Sequence, residues 1–197
     1  MLTFSEGVGY PRLTSERLDE LGNLLTSIQR ESLFRGVVIA ANAQSFAAGA
    51  DIEEIAYLRG AEAREFAQKG QSLFGRIDRY PLPVVAAIRG YCLGGGLDLA
   101  LACHARVATY DSSFGHPGGS LGLLTGWGGT QRLPRLIGRA QAFQVLLTGD
   151  RVPATQALTL GLVDELVASQ DLVEAAVRRA ELAAPLPRRA SPGSMSI

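Results

Sequence analysis

The apolar positions of the chain fall into two kinds of segment that alternate along it. Over residues 14–30, Leu18, Leu21, Leu24, Leu25 and Ile28 recur at helical spacing behind a Thr14 or Ser15 cap, which predicts an amphipathic helix. Residues 36–41 are short, apolar and β-branched, so they read as a buried strand, with 42–49 as a connection. Residues 51–58 resume a helical pattern. Residues 61–79 form a second long helix with Phe66, Leu73, Phe74 and Ile77 on one face, stopped by Pro81 and Pro83. Residues 84–88 are another buried strand. A glycine turn at 90–96 leads into an apolar helix at 97–102 and a strand at 105–109. After a glycine-rich stretch at 114–129, helical turns over 130–148 break at Gly138 and stop at Gly149. Helices at 154–160 and 171–184 then flank a short strand at 162–167. Strands alternating with helices predict an α/β architecture with parallel strands. Residues 185–197 have loop composition and are expected to be a flexible tail behind a single domain of residues 1–184.

Composition narrows the function classes. Hydrophobic residues make up 47% of the 197 and charged residues 19%, the balance of a chain that folds by burial rather than staying disordered. Nineteen basic side chains offset nineteen acidic ones, so no net field draws the chain to nucleic acid or to an anionic membrane. Cys92 and Cys103 sit in apolar runs without CxxC spacing, which points to neither a disulfide framework nor a metal site. The first twenty residues lack an apolar signal core, and no run approaches the roughly 18 apolar residues a membrane span needs, so a cytoplasmic location is expected.

The glycines carry the candidate chemistry. Two of the predicted strands run through tight turns directly into helices, at Ala47-Ala48-Gly49-Ala50-Asp51 and at Gly94-Gly95-Gly96-Leu97-Asp98. The first N–H groups of a helix lack internal partners and carry partial positive charge, so both turns aim donors at one region. Two converging N–H groups can hold a developing oxyanion. Spacing alone leaves two alternatives open. The glycines serve tight turns and close helix packing, or they belong to a dinucleotide fingerprint, although Leu99 stands where the third glycine of that pattern belongs. A GxxxxGK[ST] phosphate loop is excluded, because the single lysine, Lys69, lies on a predicted helix.

Four segments together resemble the crotonase (enoyl-CoA hydratase/isomerase) family, in family order and with family-like spacing. They are Ser45-Phe-Ala-Ala-Gly-Ala-Asp-Ile52, Ala87-Ile-Arg-Gly-Tyr-Cys-Leu-Gly-Gly-Gly-Leu-Asp-Leu-Ala100, Gly126-Trp-Gly-Gly-Thr-Gln-Arg-Leu133 and Leu147-Thr-Gly-Asp150. The resemblance implies a spiral of stacked ββα units, with the C-terminal helical region shortened here, and an acyl-CoA substrate. Coenzyme A then enters as part of the substrate, with no separate cofactor or metal, and assembly is implied to be a homotrimer or a dimer of trimers. Carried over residue by residue, the N–H groups of Ala50 and Gly95 are the oxyanion donors. Arg12, Ala48, Asp51, Ile52, Gly94, Pro117 and Gly118 fall where relatives contact the substrate.

This chain departs from the pattern at its acid–base groups. Where hydratases of the family resemble one another in using two glutamates, the first position is Asp98 and the second is Gly118, in Phe114-Gly-His-Pro-Gly118. Adding water across a double bond needs one group to take a proton and another to supply one, and each such group is typically worth about 10²–10⁴-fold. His116, two residues before the missing carboxylate, is a candidate replacement, and Asp98 is the expected proton-transfer residue. His104 is expected to be a packing or hydrogen-bonding residue. Trp127 and Thr125 are expected near the acyl pocket or in the core, and Arg132 and Arg135 as solvated or interface charges. Two functions stay in view. One is an enoyl-CoA hydratase/isomerase-type enzyme working through a thioester enolate, and the other is a non-catalytic acyl-CoA-binding or assembly subunit. No Ser–His–Asp arrangement supports a peptidase.

Overall fold

A computed structural model of the chain describes residues 1–4, 10–31, 33–41 and 44–182. The predicted tail at 185–197, the end of the last predicted helix at 183–184, and residues 42 and 43 of the predicted connection lie outside the described residues.

Five strands form a parallel sheet in the order β1 (Leu2–Phe4), β2 (Val37–Ala41), β3 (Val84–Ile88), β5 (Ala105–Thr109) and β8 (Glu165–Val167). A second sheet joins β4 (Tyr91–Leu93), β6 (Ser113–Gly115) and β7 (Val152–Pro153). Its β4–β6 pair is parallel, but β6–β7 runs antiparallel, so the expectation of parallel strands holds for the main sheet and fails at this small edge.

The central strands β2, β3 and β5 are buried on both faces, as in parallel sheets with helical crossovers. Val37, Ile39, Val84, Ala86, Ile88 and Ala108 face a core shared with α1 (Ser15–Glu31), α3 (Gly60–Asp78) and α4 (Gly95–Ala102). The alternate residues Val38, Ala40, Val85, Ala87, Ala105 and Val107 pack on Leu172, Ala175, Ala176 and Ala180 of α8 (Leu172–Leu182). Along α1, Leu18, Leu21 and Leu25 are buried as their spacing predicts, while Leu24 is half exposed and off that face. The apolar face of α3 is likewise formed by Leu73, Phe74 and Ile77.

The remaining helices are α2 (Ile52–Tyr57), α5 (Gly129–Ile137), α6 (Arg139–Thr148) and α7 (Ala154–Thr159), with a 3-10 turn at Pro117–Leu121. The predicted break at Gly138 separates α5 from α6, and Gly149 closes α6 in a left-handed conformation. A half-buried ion pair ties the far edge. The Arg106 guanidinium, enclosed beneath the sheet, donates to Asp164 Oδ2 at 2.9 Å and to the carbonyls of Leu162 and Cys103. No described helix is long and apolar enough to cross a membrane.

Candidate active site

The short strand β4 brings the two glycine turns together. Ala47 donates to the Tyr91 carbonyl at 3.1 Å and accepts from Leu93 at 2.9 Å, so the 45–50 segment lies alongside β4. Gly94 N donates to the Gly115 carbonyl at 2.8 Å, tying the second turn to β6. On its outer side the first turn is held by Leu13 N donating to Gly49 O at 2.9 Å and Ala48 N donating to Pro11 O at 2.8 Å. Gly49 (φ 114°) and Gly94 (φ 50°) adopt backbone conformations that a Cβ would strain.

The amides of Ala50 and Gly95 are among those that these bonds leave free. Among the described residues, neither Ala50 N nor Gly95 N donates a hydrogen bond. They lie on facing backbone, since a Cβ built on Gly95 would sit 3.3 Å from Ala50 N and one on Gly49 would sit 3.8 Å from Gly95 N. Gly95 also starts α4, so its N–H belongs to the orphan donors of that helix's first turn. The space a side chain at Gly95 would fill is taken by the Trp127 ring, whose Cε3 would be 2.7 Å from that Cβ.

Asp98 follows Gly95 by three residues on α4, which places both on one face of the helix. Its side chain is 1% exposed. Oδ2 accepts from the Thr125 hydroxyl, and Oδ1 is buried without a hydrogen-bond partner. His116 Nε2, also buried and unpartnered, lies 3.5 Å from Oδ1. Gly129, at the start of α5, makes room for all three groups, because any side chain there would strike Asp98, Thr125 and His116.

Burial pushes the Asp98 carboxyl up to about 6, against the lowering effects of the Thr125 hydroxyl, the Trp127 amide, the Arg132 charge and the Gly129 amide. Those two amides draw the carboxyl's proton affinity down without making a well-aligned bond to Oδ1, which stays unpaired. Burial lowers His116 to about 4, so its imidazole is neutral at pH 7. A base whose pKa lies near neutrality and which keeps one oxygen free of hydrogen bonds suits reversible proton transfer.

The remaining predicted residues divide. Gly118 stands in the 3-10 turn after Pro117, where its missing side chain would come within 3.1 Å of the Leu123 carbonyl. Asp51 caps α2 by accepting from Glu53 N at 2.9 Å and pairs with Arg12 at 3.2 Å. Ile52 is exposed beside it. The N–H of Ala48 is spent on Pro11. His104 Nδ1 accepts from Val84 N at 2.9 Å, the hydrogen-bonding role expected. Trp127 is buried between Phe66 and Phe74. The expectation that Arg132 is a solvated or interface charge is corrected: Nη1 donates to the Trp127 carbonyl at 3.2 Å, and Nε is buried without a partner, because the short loop before α5 folds back over the side chain. Sequence reasoning also missed that Thr125 is the partner of Asp98. Twenty-seven residues separate them, and no local spacing signals the contact. Among the described residues, no group of three or more His, Cys, Asp or Glu is placed to hold a metal.

This α/β scaffold, with its paired glycine turns over a buried carboxyl group, has close counterparts among known proteins. The chain belongs to the enoyl-CoA hydratase/isomerase family, whose sequence model matches residues 11–191. An enoyl-CoA hydratase from Bacillus anthracis is 38% identical over 86% of this chain and 66% of its own, with a TM-score of 0.81. Pseudomonas aeruginosa DspI is 34% identical over 90% of this chain and 68% of its own, at 0.86. An enoyl-CoA hydratase from Thermoplasma volcanium GSS1 is 33% identical over 90% and 71%, at 0.85. The fold is thus that of the crotonase family, and the chain spans about two thirds of the length of the first of these relatives.

Proposed function

We propose that the protein acts on an enoyl-CoA thioester, moving a proton at Cα while the amides of Ala50 and Gly95 hold the thioester oxygen. The observation that carries this reading is the pair of unpartnered amides on facing backbone, one helical turn before a buried carboxyl group with one free oxygen. Donors fixed in place stabilise the charge that appears on the oxygen as the enolate forms, at no reorganisation cost. Family membership supports the acyl-CoA class. Arg12, the backbone at Ala48, Asp51 and Ile52, and Gly94, Pro117 and Gly118 are assigned to the binding groove on the resemblance.

Of the two reactions expected, double-bond isomerisation fits better than hydration. Isomerisation needs one base. Asp98 takes the Cα proton of a β,γ-unsaturated thioester, the C–H electron pair passes into a dienolate, and the same carboxyl returns the proton at Cγ. Hydration needs a second group to activate water, and Gly118 supplies none. His116 does not replace it, because its buried Nε2 faces Asp98 Oδ1. Being neutral, it adjoins the carboxyl without the fixed positive charge that would weaken it as a base.

The test is to give purified protein vinylacetyl-CoA and crotonyl-CoA separately. Appearance of conjugated-thioester absorbance from the first, abolished in Asp98→Asn, is the expected result. Hydration of crotonyl-CoA with no isomerisation would overturn the preference. The missing carboxylate at Gly118 also favours a second reading, a non-catalytic acyl-CoA-binding or assembly subunit, which predicts binding of both thioesters and conversion of neither. Assembly as a homotrimer or dimer of trimers belongs to the same proposal, supported by the exposed Leu121, Leu124, Phe143 and Leu147, and sedimentation velocity decides it.

A further inference from the structure

We infer that Thr125 is a positioning residue, whose hydroxyl fixes one oxygen of Asp98 and leaves the other free for proton transfer. The inference rests on the isomerase reading above and adds a group outside it. A carboxylate at the end of one torsion presents two equivalent oxygens and turns readily unless one is held. Here Oδ2 is held by the Thr125 hydroxyl, and Oδ1 is left without a partner.

The hydroxyl is itself fixed by the loop that carries it. Gln71 Nε2 donates to Gly126 O at 2.7 Å, the Trp127 indole N–H donates to Phe66 O at 3.3 Å, and Arg132 Nη1 donates to Trp127 O at 3.2 Å. Three clamps from α3 and α5 therefore set the position of the residues after Thr125. At Gly129 the absence of a side chain lets the Thr125 methyl and the Asp98 carboxyl occupy the same small space. A hydroxyl in this place does two things. It chooses the oxygen that reacts, and it stabilises the ionised carboxyl, opposing the upward pull of burial. The titratable and charged groups around Asp98 are His116 from the turn after β6, Arg132 from α5 and Cys92 from β4. Cys92 stays a thiol, its pKa raised chiefly by burial, and His116 is neutral. None of these three donates a hydrogen bond to the carboxyl; the Thr125 hydroxyl is the side chain that does.

The test compares Thr125→Val, of nearly the same shape, with Thr125→Ser, which keeps the hydroxyl. Thermal melts of both establish that they fold. Hydrogen bonds to charged groups are strong enough that Thr125→Val should lower kcat for vinylacetyl-CoA by about 10- to 100-fold, with KM little changed. The acid limb of the kcat/KM profile should move to higher pH, and Thr125→Ser should restore most of both. Titration of the Asp98 carboxyl by NMR of aspartate-labelled protein reads the same shift without turnover. An unmoved kcat and unmoved titration in Thr125→Val, or failure of Thr125→Ser to restore them, overturns the inference. If the wild-type protein turns over nothing, the isomerase reading fails, and the titration alone then decides whether Thr125 holds the carboxyl.

Discussion

Asp98 Oδ1 and His116 Nε2 face each other at 3.5 Å in the buried seam between α4 and the turn after β6, each without another hydrogen-bond partner. Burial shifts the two groups in opposite directions, and their effects on stability therefore oppose. Asp98 is raised from 3.8 to about 6, so the folded chain holds that proton more tightly than the unfolded one, and stability falls as pH rises across that interval. His116 is lowered from 6.5 to about 4, so the unfolded chain binds that proton first, and stability rises across its interval.

The pair therefore gives a nearly flat stability profile between pH 4 and 6, and single substitutions should expose each slope. In Asp98→Asn the His116 slope remains, and urea unfolding should show stability falling as pH drops from 6.5 to 4. In His116→Gln the Asp98 slope remains, and stability should fall as pH rises from 3.8 to 6. Above pH 6, Asp98→Asn should be more stable than wild type by up to about 3 kcal/mol, since a buried charge has been removed, while losing turnover. Equal profiles for the three proteins would contradict the buried pair.

Gly70 and Gly95 form the two sides of the slot that holds the Trp127 ring, and a side chain at either would strike it. Only Gly95 also borders the Ala50 amide. Gly70→Ala should thus lower the melting temperature and leave most of the turnover of the folded protein. Gly95→Ala should lower both. Overpacking of this kind typically costs about 1–3 kcal/mol, and melting curves paired with initial rates separate the two effects.

Gly118→Glu restores a carboxylate where the hydratase pattern has one. Gly118 has no positive φ, and the new Cβ would meet Leu123, with its carbonyl at 3.1 Å and its Cβ at 3.4 Å, so the turn must yield slightly to admit it. Hydration of crotonyl-CoA should rise by about tenfold or more, less than the about 10²–10⁴-fold of an unstrained acid–base group because the turn must yield. No gain in a folded variant would show that the missing carboxylate is not what limits hydration.

What was readable in the sequence follows from the length scale of each interaction. The helices α1, α3 and α8 and the strands β2, β3 and β5 were legible because their apolar residues repeat within a few positions. Strands β1, β4, β6 and β7 were not, since two or three residues carry no period and their pairing is set by distant partners. The two amide donors were visible as glycine turns. The environment of Asp98 was not, because Thr125, Trp127, Gly129 and Arg132 reach it only after α5 folds over α4. His116 lay close in sequence to the missing carboxylate, yet its orientation toward Asp98 rather than toward a separate water is a product of packing.

The central claim is that Ala50 and Gly95 polarise a thioester carbonyl. Isotope-edited infrared spectroscopy of carbonyl-labelled crotonyl-CoA bound to Asp98→Asn tests it most directly, because the base is silent and only the ground-state pull on the oxygen is read. The carbonyl stretch should move to lower frequency on binding, with the shift lost in Gly95→Pro, which removes the donor. A bound thioester whose carbonyl stretch stays at its value in water would contradict the account.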